Sequence, residues 1–158
     1  MPKRATPEGN PSGVVELKTD KHLEKQMNNN SWKYVKPLLD PHAIEKFEQT
    51  HGIIFPDDLK EIMKKNNGGR PPLKYYDLAS EKNKEFKTLL SFNKSDIENI
   101  FKFYPLDSKD QTIIPFASDP AGNFFVLKNN KIYLWNHESD SLSFLADSFS
   151  IFYSSLHS

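Results

Sequence analysis

The sequence predicts an α+β domain, with helices towards both ends and an antiparallel sheet in the second half. Three observations carry this. Apolar residues recur at helical spacing in Leu59, Ile62 and Met63, and again in Phe149, Phe152, Tyr153 and Leu156. The densest apolar run, Thr112 to Trp135, is broken by two turn signals, Asp119-Pro120-Ala121-Gly122-Asn123 and Asn129-Asn130. Helices flanking such a run of strands are expected to form a layer on one sheet face.

The chain has 158 residues, so one domain is expected. A domain of this size buries roughly two-thirds of its unfolded surface and needs no covalent staples. There is no cysteine, which excludes disulfides, thiol catalysis and cysteine-ligated zinc. No stretch has the apolar core of a signal peptide or the ~18 apolar residues of a membrane span. The expectation is a cytoplasmic protein with no membrane partner. Lys and Arg number 21, as do Asp and Glu, without the basic excess of a dedicated nucleic-acid binder. Direct nucleic-acid contact is therefore not expected. The balance is uneven: residues 1–36 carry seven basic and four acidic side chains, residues 37–158 fourteen and seventeen. The mildly acidic second part favours a basic partner.

Residues 1–30 hold Pro2, Pro7, Gly9, Pro11, Gly13 and a charged run, with few apolar groups. They bury too little to offset ordering entropy and read as a flexible N-terminal arm or linker. Val14, Val15 and Leu17 are the exception, a short edge strand at most. Residues 31–158 read as the single folded domain. Trp32, Tyr34 and Val35 are expected to dock on its core.

The first helix follows Asp40 as N-cap, with Pro41 at its first position and a staple between Leu39 and Ile44. Ile44 and Phe47 line its inner face and Gly52 ends it. The second runs from Pro56 to Asn66, with Asp57 and Asp58 in the turn where negative charge suits the dipole. Asn67-Gly68-Gly69 stops it. Residues 73–84 read as loop. Phe86, Thr88, Leu90 and Phe92 alternate as a strand. Ser95 and Glu98 match a capping box, and Ile97, Ile100, Phe101 and Tyr104 continue as a third helix up to Pro105.

Ile113 to Ala117 is a strand whose Pro115 suggests an edge or an end. Asn123–Lys128 and Lys131–Asn136 are two strands around Asn-Asn, a pair suited to a type I′ turn. That register sets Leu127 opposite Ile132, Val126 opposite Tyr133, Phe125 opposite Leu134 and Phe124 opposite Trp135. Apolar pairs then fall on both faces. Such a hairpin is either covered twice or leaves one face for a partner. Leu142, Phe144 and Ala146 form a last strand, and Asp147 or Ser148 caps the final helix.

Chemistry is sparse. His137 follows the hairpin, near Asn123 and the Asp119 loop. The three could form an acid–base or half-metal site, or serve only as turn residues. His42 and His51 are nine apart, not the helical metal-pair spacing of four. Asp107 and Asp110 lack the frame of a calcium loop. Asn67-Gly68-Gly69-Arg70 follows a helix instead of opening one, so it is no phosphate cradle. There is no G-x-S-x-G nucleophile elbow.

The order of motifs resembles the SUKH superfamily, in its Smi/Knr-type branch. The carriers are Phe55-Pro56-Asp57 leading to Asn67-Gly68-Gly69, then Ile114-Pro115-Phe116-Ala117 with Asp119, Gly122 and Asn123, then Ala146-Asp147-Ser148-Phe149. They span about residues 37–157. The resemblance implies a strongly curved, mostly antiparallel sheet with helices packed on it. It implies no enzymatic activity; no cofactor and no metal are expected. Bacterial members are immunity proteins that bind and neutralise a cognate toxin domain, often a nuclease, and the single-domain build favours that reading. Fungal members are non-catalytic regulators of cell-wall synthesis. Pro56, Asn67, Gly68, Gly69, Pro115, Asp119, Gly122, Asn123 and Asp147 read as fold determinants. For a basic toxin, acids to steer and aromatics to anchor are expected at Asp107, Asp110, Asp119, Tyr133, Trp135, Glu138 and Asp140.

Overall fold

A computed structural model describes residues 32–158. The arm expected over 1–30, with its strand at Val14, Val15 and Leu17, lies outside the described residues. In order come α1 (Ala43–His51), α2 (Asp57–Lys65), β1 (Tyr75–Tyr76), β2 (Lys84–Glu85), β3 (Thr88–Leu89), α3 (Ile100–Phe103), β4 (Ile114–Ser118), β5 (Phe124–Lys128), β6 (Lys131–Asn136), β7 (Ser141–Ala146) and α4 (Phe149–Ser154). The fold is α+β: β3 to β7 make one antiparallel five-stranded sheet in sequence order, and β1 pairs β2 apart from it.

The β5–β6 hairpin has the register its sequence predicts, Phe124 opposite Trp135 through Leu127 opposite Ile132. Asn129 and Asn130 take φ of 51° and 63°, the left-handed pair of a type I′ turn. One hairpin face, with Phe125, Leu127, Ile132 and Leu134, joins the main core beneath the helices. Ile44 and Phe47 of α1, Leu59, Ile62 and Met63 of α2, and Phe149 and Phe152 of α4 enter the same core. Each such side chain contributes about 1.5–3 kcal/mol on full burial. Salt bridges join α1 to α2: Lys60 reaches Glu48 at 2.8 Å, and Lys64 pairs with Glu45.

The other hairpin face is covered by the chain itself, but only in part. Val126 and Trp135 are buried beneath Leu106 and Ile113, from the loop between α3 and β4. Beyond them Tyr133 and Leu142 are half-buried, and Phe144 is 53% exposed.

Several sequence expectations are corrected. The α1 N-terminus lies at His42, without a side-chain cap. Asp40 instead accepts from the His42 amide and the Lys46 ammonium. Leu39 points outward, so no staple forms with buried Ile44. Tyr34 is also exposed and does not dock on the core, unlike Trp32. Residues 73–84 hold β1 and the first residue of β2, and the strand expected over 86–92 shrinks to β3. Both faces there are buried, so alternation does not mark its extent. The third helix is one turn, capped by Asn99, whose side chain accepts from the Lys102 amide. Ser95–Glu98 is not its capping box and Ile97 is exposed. Ser148 caps α4, while Asp147 pairs with Lys131 at 2.9 Å. In β7 the register steps past Leu145, so Ala146 opposes Ile132 and Phe144 opposes Tyr133. Such a bulge sends Ala146 to the core and Phe144 to the other face.

Pro115 lies where β3 does not reach, as a strand proline requires of one side. Pro56 opens α2, and Gly52 closes α1 at φ 65°. Asn67 is buried and bonds three ways: Nδ2 donates to the Lys36 carbonyl at 2.8 Å and Ser91 Oγ at 3.0 Å, and Oδ1 accepts from the Phe92 amide at 2.8 Å. Gly69 is needed for closeness, since a Cβ there would meet the Asn66 carbonyl and Val35 at 2.9 Å. Thr88 Oγ1 donates to the carbonyls of Gly68 and Gly69, tying this turn to the sheet.

Candidate functional site

Asp119, Asn123 and His137 come together, but as the closure of a turn. Asp119 Oδ1 accepts from the amides of Ala121 at 2.9 Å and Asn123 at 2.8 Å. Asn123 Nδ2 donates to Asp119 Oδ2 at 3.3 Å. Asn123 Oδ1 then accepts from the His137 amide at 3.1 Å and lies 2.7 Å from His137 Nδ1. An amide oxygen only accepts, so that contact assigns the proton to Nδ1. Gly122 takes φ 86°, a left-handed conformation that favours glycine; a Cβ there would sit 3.5 Å from His137 Cε1, an ordinary contact. Asp119 is buried, with its carboxylate turned to these donors. The geometry fits a structural Asx-type turn, with Asp119 buried in it, apart from the exposed acids.

Asp110 and Asp140 have a related fate. Asp110 accepts from Lys128 Nζ at 2.6 Å and from the Thr112 amide at 2.9 Å. The Lys128 contact, helped by Thr112, lowers its pKa to about 2. Asp140 accepts from the Lys109 amide at 2.9 Å, Ser108 Oγ at 2.6 Å and Trp135 Nε1 at 2.7 Å. Those bonds, the Lys109 amide foremost, hold its pKa below the usual carboxylate range. Both acids therefore anchor the 105–112 loop over the second sheet face. Trp135 is the floor under that loop, at 4% exposure, and so is no free anchor.

The remaining expected residues stay on the surface. Asp107 and Glu138 are exposed, and their carboxylates make no hydrogen bond or ion pair among the described residues. Tyr133 is half-buried and meets Phe144 edge-on, ring centroids 5.6 Å apart. Sequence reasoning placed Phe144 in the last strand and missed its exposure. The signal was indirect: one extra residue in β7 turns Phe144 from the core. Tyr133, Leu142 and Phe144 thus form an open apolar strip beside the pinned loop. It can anchor a protein surface while the free acids attract a basic one.

His42 and His51 are exposed, and His51 packs against Phe47 and Tyr104. Among the described residues no group of three or more His, Asp or Glu is placed to hold a metal ion. No helix among them is long and apolar enough to cross a membrane. Tyr76 is buried with its hydroxyl unpaired among the described residues. Burial pushes its pKa up, and the negative charge of Asp119 adds to this.

No curated protein matches the chain at a significant level. The family model described as SMI1 / KNR4 family (SUKH-1) matches residues 38–155, from just before α1 to just after α4. That span holds both helices of the N-terminal pair, the whole sheet and the closing helix, and the chain belongs to the SMI1/KNR4 family, SUKH-1.

Proposed function

We propose that this protein is an immunity protein that binds a cognate bacterial toxin domain and neutralises it stoichiometrically in the cytoplasm. Family membership over residues 38–155 carries the reading. The internal use of Asp119, Asn123 and His137 supports a binding role over acid–base catalysis. The contact surface in this reading is the Tyr133–Leu142–Phe144 strip with the free acids Asp107 and Glu138. Their charge suits a basic domain such as a nuclease, held by aromatic anchors and steered by the rim. Steric or electrostatic masking of the toxin then suffices, with no cofactor and no turnover.

Co-expression with toxin domains encoded beside this gene tests the proposal. The cognate domain co-purifies at one-to-one stoichiometry and growth is restored. If every neighbouring toxin domain neither binds nor is tolerated, the reading fails.

A further inference from the structure

A second face of the molecule, on the α1 side, is built differently. Of the large apolar side chains left open, three lie here: Tyr34 (66% exposed), Leu39 (77%) and Ile97 (84%). Two hollows meet at Ser95. One, of about 650 Å³, lies between α1 and residues 92–101, with Phe47, Phe92 and Phe101 in its walls and Leu39 and Lys94 among its lining. The other, of about 370 Å³, is bounded by Tyr34, Lys36, Arg70 and Ile97.

The charges of this face are unbalanced. Two of its acids are paired, Asp40 with Lys46 at 2.7 Å and Glu98 with Lys87 at 2.8 Å, while Asp96 accepts only from the neutral Ser91 hydroxyl and Asn93 side-chain amide. Lys36, Arg70 and Lys94 are in no ion pair among the described residues. Arg70 stacks on the Tyr34 ring at 5.0 Å, and Lys94 lies 5.1 Å from the Phe101 ring centroid.

Tyr34 adds an independent sign. It holds φ of 58°, the left-handed region, where a bulky residue is strained. Core burial does not account for it, because the ring stands in solvent. Tyrosine and arginine are also the side chains that most often dominate binding energy.

We propose that this face, formed by Tyr34, Lys36, Leu39, Arg70, Lys94 and Ile97, docks an acidic polypeptide segment carrying apolar side chains. Its apolar groups enter the α1 hollow and pack on Leu39 and Ile97. Its carboxylates meet Lys36, Arg70 and Lys94, three cations outside any ion pair among the described residues against a single acid of the face without a cation partner, Asp96. Residues 1–31 of the chain are a poor occupant, with five Lys/Arg against four Asp/Glu. The inference does not rest on the immunity reading, which concerns the opposite charge at the Phe144 strip.

The test is to pan a displayed library of short random peptides on the full-length protein, and then measure selected peptides by fluorescence anisotropy. Selected sequences are expected to combine Asp or Glu with Leu, Ile, Phe or Trp. Arg70→Glu with Lys94→Glu, and separately Ile97→Asp, weaken them by about tenfold or more, as does high salt for the charged contacts. Lys82→Glu, in the β1–β2 turn, is the control. All these positions are exposed, and unchanged thermal unfolding confirms the fold of each variant. Absence of selection, selection of basic peptides, or binding indifferent to the variants on this face overturns the proposal.

Discussion

Trp135 donates its indole N–H to Asp140 at 2.7 Å, and the same carboxylate holds Ser108 and Lys109 of the loop above the ring. The cover of the second sheet face thus hangs on an exposed acid. Asp140→Ala is expected to free the 105–112 loop while leaving the main core intact. In a Trp32→Phe background, Trp135 emission should shift to the red and quench more readily with iodide. An unshifted spectrum would show that Leu106 and Ile113 hold the loop by packing alone.

Acid should release the same loop. The folded pKa values of Asp110 and Asp140 lie below that of an unfolded aspartate, about 3.9, with Asp110 at about 2. Groups depressed in this way stabilise the fold above the unfolded value and lose the contribution as pH falls through the folded one. The Trp135 signal should therefore hold at neutral pH and decline between about pH 4 and pH 2. Asp110→Asn and Asp140→Asn together should remove most of that dependence. A wild-type midpoint near neutrality would exclude these carboxylates as its source.

Asn67 should be far less replaceable than its place in a turn suggests. Asn67→Ala leaves the Phe92 amide and the Lys36 carbonyl without their buried partner. The expected loss is about 2–4 kcal/mol in urea unfolding, with little change in slope. A loss under about 0.5 kcal/mol would mean that water replaces the amide, in the range of an ordinary surface change.

Two glycines separate crowding from backbone conformation. Gly69→Ala drives a Cβ against Asn66 and Val35 and should cost about 1–3 kcal/mol through overpacking. Gly52→Ala meets nothing within 4 Å, so only its left-handed φ of 65° resists, at about 1–2 kcal/mol. A Val35→Ala background should reduce the Gly69→Ala cost and leave that of Gly52→Ala unchanged.

At the proposed toxin surface, Asp107→Lys with Glu138→Lys should leave stability within about 0.5 kcal/mol. Association with a basic toxin domain should slow, and the difference should shrink at high salt. Phe144→Ser should instead speed dissociation. Unchanged kinetics in both variants would place the contact on another face.

The sequence signals that succeeded were local ones. Asn129-Asn130 between two apolar runs sets the hairpin register, because side-chain alternation punishes any slip. The helical stripes of α2 and α4 worked because one face of each is buried. The start of the third helix was misread for a different reason: Ser95 and Glu98 have capping-box spacing, but Glu98 turns away to Lys87 and Ser118. Asp110 and Asp140 look like unengaged acids in sequence because their partners, Lys128 and the Ser108–Lys109 segment, lie 18 and 31–32 residues away. Nothing in a linear pattern shows which surface charges are already engaged. Asp107 and Glu138 look the same in sequence and stay free.

Trp32 donates to the Tyr153 hydroxyl, 121 residues later, and Asp58 accepts from the amide and hydroxyl of Ser150, 92 residues later. The N-terminal helices therefore complete their packing with a segment the ribosome makes long after them. Local contacts such as the Asn129-Asn130 hairpin cost little closure entropy and can form early. The helix pair must wait with apolar faces uncovered, and a nascent chain stalled before α4 would be the species in greatest need of a chaperone.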